Sequence, residues 1–257
     1  MTPEQQNALR HSRLKRMGDA PAKYLANAEK TVQAFGKGTG THSVLLGGKR
    51  LVTWNKKSDD GNQCPRRGKD YEAFKALNAD ALILLPDEYD EVQAMAEAVQ
   101  ANPDALALLA GKKEKTLYWT IDGRVCRGTP DVDNGHSVVE LKTGQSSDPR
   151  FFWRDSWKFG YHAALAWYLD GCALQFGRRT IPDEAYIVAV ESAAPYIVTV
   201  FRVPPTLIEI GRRQNRAWLD RLAECEKAKA WPGYATGIVD LEFDQRELRN
   251  WGIEEAA

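Results

Sequence analysis

Gly128-Thr-Pro130-Asp131-Val-Asp-Asn-Gly-His-Ser-Val-Val-Glu140-Leu141-Lys142-Thr143 is the most informative stretch of the chain. Strand side chains alternate between faces, so Glu140 and Lys142 share one face of a strand over 137–142 while Leu141 points into the opposite layer. The turn Asp133-Asn-Gly135 folds the strand back on the segment that ends at Asp131. Two carboxylates and one ammonium then converge. Hard cations such as Mg²⁺ take one or two carboxylates together with water and phosphate oxygens. Lys142 beside an attacking water either orients it or, with a lowered pKa, takes its proton. The set suits phosphodiester hydrolysis, and the alternative for a bare acid-x-Lys is a surface ion pair at a strand edge.

Upstream of this stretch, 115–121 and 124–129 read as a hairpin about Asp122-Gly123, so three adjacent antiparallel strands are expected. Apolar spacing predicts helices over 12–34 (broken at Pro21), 87–101, 104–109, 156–169 and 206–228, and strands over 185–190 and 196–201. Phe35-Gly-Lys-Gly-Thr-Gly40 reads as a loop feeding Thr41-His42, where helix and short strand are both open. Residues 55–69 read as an exposed loop whose Arg66 and Arg67 are candidates to reach a ligand. The order of elements implies an α/β (α+β) fold, a central mixed sheet flanked by helices. One domain is expected over 1–257, with a helical region at about 1–110 and a core at about 111–235.

The 257 residues allow a large core, and 43% hydrophobic with 27% charged residues is the composition of a globular protein. No apolar run is long enough to span a bilayer, and the basic N-terminus lacks the apolar stretch of a secretory signal. A cytoplasmic location without membrane contact is expected. Cys64, Cys126, Cys172 and Cys225 are scattered singly and read as free thiols rather than metal ligands. Formal charge is zero, yet residues 1–50 carry nine basic against three acidic residues, and 233–257 two against six. A phosphate-facing surface toward the N-terminus fits that asymmetry, as do ordinary solvated faces. The aromatic run Phe151-Phe-Trp153 with Trp157, Phe159 and Tyr161 divides between core and stacking platform. The arginines at 212, 213, 216 and 221 divide likewise between backbone contacts and a solvated face.

The same motifs resemble the PD-(D/E)xK nuclease superfamily, and within it the RecE-type (exonuclease VIII) and phage lambda exonuclease branch. Matching stretches run in the family's order from Ser12-Arg-Leu-Lys-Arg-Met through Gly40-Thr-His42, Glu114-Lys-Thr-Leu-Tyr-Trp, Arg127-Gly-Thr-Pro-Asp131, Val139-Glu-Leu-Lys-Thr143 and Gly160-Tyr161-His-Ala-Ala-Leu-Ala-Trp-Tyr168 to Trp231-Pro-Gly-Tyr234. The resemblance implies a restriction-endonuclease-like core. Asp131, Glu140 and the main-chain carbonyl of Leu141 would bind Mg²⁺ or Mn²⁺, as two ions, with Lys142 acting on the water. Glu114 would help organise the metal site and His42 would add a nitrogen ligand, with Tyr161 and Tyr168 supporting the site or the DNA. Relatives carry Gln-x-x-x-Tyr on the following helix, whereas Ala164 stands here at the glutamine position. The implied activity is an exonuclease of phage or prophage recombination type, working on ends of double-stranded DNA. Polarity of 5′-to-3′ is the expectation, although the residues alone leave it open. A single-strand annealing protein and a ring-shaped homo-oligomer are the implied partners. A decayed DNA-binding module and an endonuclease on the same scaffold are the alternatives.

Overall fold

The computed structural model describes residues 3–26, 36–176 and 184–241. The chain opens with α1 (Pro3–Gln6), β1 (Leu9–Arg10), α2 (His11–Leu14), α3 (Arg16–Asp19) and α4 (Pro21–Leu25). In place of one helix from residue 12 there are three short ones, and 27–34 of that expected helix lies outside the described residues. Ala20, forced out of the helical region by the proline after it, is extended at φ −165° and ψ 140°.

Next come α5 (Gly36–Leu46), β2 (Leu51–Thr53), α6 (Lys69–Leu77), β3 (Leu82–Leu84), α7 (Pro86–Ala101) and α8 (Pro103–Leu108). The glycine-rich segment expected as a loop is therefore helix α5. Its glycines answer to packing: a Cβ on Gly38 would lie 2.7 Å from Thr143 Oγ1, and one on Gly40 2.8 Å from Val92. Close approach outweighs the helix-propensity cost of about 1 kcal/mol per glycine. In α7, Pro86 occupies the first turn and the Glu88 carboxylate accepts the Leu85 N–H at 2.9 Å.

The remaining elements are β4 (Lys112–Lys113), β5 (Leu117–Ile121), β6 (Arg124–Gly128), β7 (Val132–Asp133), β8 (Ser137–Gly144), α9 (Pro149–Phe159), α10 (Tyr161–Phe176), β9 (Glu184–Glu191), β10 (Val198–Val203) and α11 (Pro205–Ala228). The fold is mixed α/β, with mixed sheets flanked by helices, as expected. Its main sheet has the order β10-β9-β8-β7-β4, with β8 antiparallel to β7 and parallel to β9. The expected run of three adjacent antiparallel strands is corrected here. The β5–β6 hairpin forms a separate sheet with β1, which lies parallel to β6 and sets Arg10 against Arg127. Pro130 has no N–H to continue a ladder, so the chain breaks after β6 and enters the main sheet only at Val132. The expected helix over 156–169 is also two helices, because Gly160 ends α9 in the left-handed region at φ 68°.

β8 separates two cores. Val139 and Leu141 join Val188, Val190, Val92 and Met95 on one side, while Val138 joins Ile187, Leu165 and Leu169 on the other. A fully buried aliphatic side chain such as Leu141 contributes about 2 kcal/mol, so both faces hold the strand's register. Glu140 and Lys142 lie on the α10 side, where the sheet edge opens.

His11 is buried, its ring centroid 6.3 Å from that of Trp167 and 5.9 Å from that of Trp218. Burial first, and the Lys15 ammonium second, hold its pKa at about 3. The unfolded chain, titrating near 6.5, takes up a proton below that pH that the folded chain refuses until about pH 3. Folding stability therefore falls with falling pH in this window, by about 1.4 kcal/mol per pH unit for this one group. Denaturant titrations of wild type and His11→Phe at pH 5.5, 5 and 4.5 should show the variant losing stability less steeply by about that amount. Equal slopes would show that His11 is not buried neutral.

Candidate functional site

Four elements meet at the open end of β8. Asp131 leads into β7, and its Oδ2 accepts the Leu141 N–H at 2.7 Å, which pins the carboxylate to the neighbouring strand. His42, one turn beyond Gly38 on α5, places Nε2 at 2.9 Å from Leu141 O and Nδ1 at 3.8 Å from Asp131 Oδ1. Glu114 stands in the left-handed region at φ 46°, its N–H bonded to Asp131 O at 3.0 Å. That conformation costs a non-glycine residue about 1–2 kcal/mol and turns the Glu114 carboxylate toward the site. Ligand atoms of His42, Glu114 and Asp131 all lie within 4.8 Å of one another.

Glu140 sits just outside this set and is ion-paired with Lys142 on its own strand, as the alternation requires. Its Oε2 accepts from the Lys142 ammonium, while Oε1 is buried with no hydrogen-bond partner. A buried carboxylate oxygen without a partner is costly. Burial first and the Glu140 charge second push Asp131 up to about 8, against the opposing pull of Lys142 and the Leu141 N–H. For Lys142, burial favours the neutral amine, but the charges of Glu140 and Asp131 outweigh it and the pKa stands above that of ordinary lysine. Burial and then the Lys142 charge hold His42 below the usual histidine value, so its ring is neutral and able to ligate.

These features fit a divalent cation. It would relieve the repulsion between Asp131 and Glu140, occupy the orphaned Oε1 and accept a neutral imidazole. His42, Glu114, Asp131, Glu140 and Leu141 O are the groups that would hold it. Imidazole suits Mn²⁺ better than Mg²⁺, so calorimetric titration of His42→Ala should show Mn²⁺ binding weakened about tenfold and Mg²⁺ binding much less. Equal loss for both ions would remove His42 from the ligand set.

Beside the carboxylates lies a cleft of about 560 Å³, with Glu140, Lys142, Tyr161, Ala164 and Tyr168 on its floor and α10 wall. Tyr161 holds its ring 5.3 Å from the Lys142 Nζ, and the approach of Tyr168 to the backbone leaves no room for a side chain at Gly128. Ala164, at the position where the resemblance implies glutamine, lines the cleft. The lining is otherwise basic, with Arg10, Lys15, Arg16 and Arg127 against Asp19, and Lys15 donates to Phe159 O at 2.6 Å. Arg10 and Arg127 were not among the expected site residues. For Arg10 the signal in the sequence was the surplus of basic residues over 1–50, and for Arg127 its place at the head of the Arg127-Gly-Thr-Pro-Asp131 stretch. Arg66 lies apart from the cleft, bonded to Glu88 Oε1 at 2.6 Å and Ile83 O at 3.3 Å, and Arg67 does not line it either. The arginines of α11 make ion pairs and a backbone contact, Arg212 with Asp170, Arg213 with Glu209, Arg216 with Asp220 and Asp122, and Arg221 with Met17 O.

Residues 10–242 match the model of a family described as a PDDEXK-like domain of unknown function, DUF3799. The chain belongs to that PDDEXK-like family. The letters of the name appear here as Pro130-Asp131 and Glu140-x-Lys142. No curated protein matches the sequence. Among solved structures, a candidate exonuclease from Eubacterium rectale superposes with a TM-score of 0.63 at 11% identity, over 96% of this chain and 95% of its own. That likeness shows the fold. An alkaline exonuclease from Laribacter hongkongensis is 16% identical over 74% of this chain and 96% of its own, but its TM-score of 0.28 is too low to bear on the argument. Among the described residues, no helix of the PDDEXK-like chain is long and apolar enough to cross a membrane.

Proposed function

We propose that this PDDEXK-like protein is a Mg²⁺- or Mn²⁺-dependent exonuclease of the RecE and phage lambda exonuclease type, hydrolysing phosphodiester bonds from the ends of linear double-stranded DNA. One observation supports this most directly: the acidic and histidine cluster, with Lys142, adjoins a cleft that is also lined by Arg10, Lys15, Arg16 and Arg127. A bound divalent cation supplies Lewis-acid activation of the phosphodiester. The protein's own groups do the rest. Asp131, Glu140, Glu114 and His42 hold the cation. Arg10 and Arg127 fix phosphates of the strand. Lys142, kept cationic by its acidic neighbours, orients the attacking water and offsets charge developing on the phosphate rather than taking the water's proton. Tyr161 limits the swing of the ammonium.

The test is digestion of end-labelled linear duplex and covalently closed circular DNA with Mg²⁺, Mn²⁺ or EDTA. Linear duplex should be degraded progressively with either metal, be spared in EDTA, and closed circles should survive. Nicking of closed circles would replace this reading with an endonuclease. Ala164, which removes an amide from the cleft, favours a second reading, a catalytically decayed DNA-binding module. DNA binding without cleavage under any divalent metal would establish that one instead.

A further inference from the structure

Helix α9 turns most of its aromatic side chains outward. Only Phe152 is buried, stacked on Phe201 at 4.4 Å, whereas Phe151, Trp153 and Trp157 are exposed, Trp153 by 61%. Three cations, Arg150, Arg154 and Lys158, recur at every fourth residue and so form one row along the helix. At 100° per residue, Trp153 and Trp157 flank that row on one side and Phe151 on the other. The Arg154 guanidinium bridges the flanks, 5.6 Å from the Phe151 centroid and 5.5 Å from that of Trp153. Arg150 is ion-paired with Asp148, and Asp155 is the one acid on the helix.

This stripe is continuous with the cleft. Phe159 and Tyr161, stacked at 5.8 Å, line the cleft where α9 ends, and Tyr161 faces the Lys142 ammonium. Trp157 is stacked on His162 at 5.0 Å, so Phe151 and Trp153 are the exposed rings that the stripe offers to a ligand. Exposed rings interleaved with cations suit unpaired bases and their phosphates, because the faces of paired bases are already stacked within a duplex. An apolar protein groove would instead have to strip water from three cations. The helix, about 16 Å long, matches about four stacked bases.

We propose that the outer face of α9 binds single-stranded DNA continuing from the cleft, with bases against Phe151 and Trp153 and phosphates along Arg154 and Lys158. This rests on the cleft being a DNA site. The test is fluorescence anisotropy of labelled (dT)₁₂ with the full chain in EDTA, alongside quenching of tryptophan emission. Wild type should bind in a salt-dependent manner. Phe151→Ala and Trp153→Ala should each weaken binding about tenfold, with Trp153→Phe restoring most of it and circular dichroism unchanged. Unchanged affinity in the double alanine variant overturns the proposal. So does a change in its sedimentation with (dT)₁₂ affinity intact, which would make the face an interface between copies. Wild type that digests linear duplex yet does not bind (dT)₁₂ overturns this inference alone. Failure of both cleavage and binding overturns it together with the function proposed above.

Discussion

Glu140→Gln and Lys142→Ala should each lower nuclease turnover about 10³-fold, through opposite changes in the metal response. Glu140 Oε1 is buried without a partner, and Glu140→Gln replaces an anionic ligand by a neutral amide of the same size. The rise in melting temperature that Mg²⁺ or Mn²⁺ produces should therefore shrink in this variant. Lys142→Ala leaves Glu140 and Asp131 facing each other without their ammonium, and truncating one partner of a buried pair costs roughly 3 kcal/mol in the metal-free protein. A divalent cation replaces the missing positive charge, so the metal-induced rise should exceed that of wild type. Thermal melts with EDTA or metal read both effects independently of turnover. Wild-type activity in both variants would move the chemistry elsewhere, and identical metal responses would refute the division of roles between the two residues.

The second large effect is expected on the basic lining of the cleft. Arg10 and Arg127 are direct partners in the β1–β6 ladder, so their side chains leave neighbouring strands at one level beside the cleft. If each neutralises one DNA phosphate, the double variant Arg10→Ala, Arg127→Ala should bind duplex about 100-fold more weakly near 0.1 M salt. Its slope of log affinity against log salt should also become shallower by about 2. Anisotropy of a labelled blunt duplex in EDTA measures both. An unchanged slope would mean that the cleft wall does not touch the phosphate backbone, whatever its charge. Loss of affinity at every salt concentration with an unchanged slope would point to damaged packing, which a thermal melt of the double variant would expose.

The pairing of Glu140 with Lys142 and the inward turn of Leu141 were legible in the sequence, because strand side chains alternate with a period of two and neighbouring residues need no tertiary information to be placed. The α7 helix was legible for the same reason: Pro86, Asp87 and Glu88 mark its start and Val92, Met95 and Val99 its buried face. Local signals likewise brought the segment around Asp131 against β8, through the turn at Asn134-Gly135. What remained open depended on contacts between distant segments. No local rule makes a helix of Gly36-Lys-Gly-Thr-Gly40. Only the close approach to Thr143 and Val92 does, and the same approach sets His42 against Leu141 O, 99 residues away in sequence. The pairing of β1 with β6 is equally non-local, so nothing along the chain announces that Arg10 will stand beside Arg127 at the cleft. Glu114 reaches the cluster through a positive φ that nothing in Lys-Lys-Glu-Lys specifies, held by its bond to Asp131 O. By itself the sequence determined which charges belong to β8 and the helix and strand character of its periodic segments, since those follow from neighbours along the chain. Tertiary structure decided which sheet each strand joins, which glycines become helix and which cations share the cleft with the carboxylates, since those follow from packing and ladder partners that neighbours along the chain do not encode.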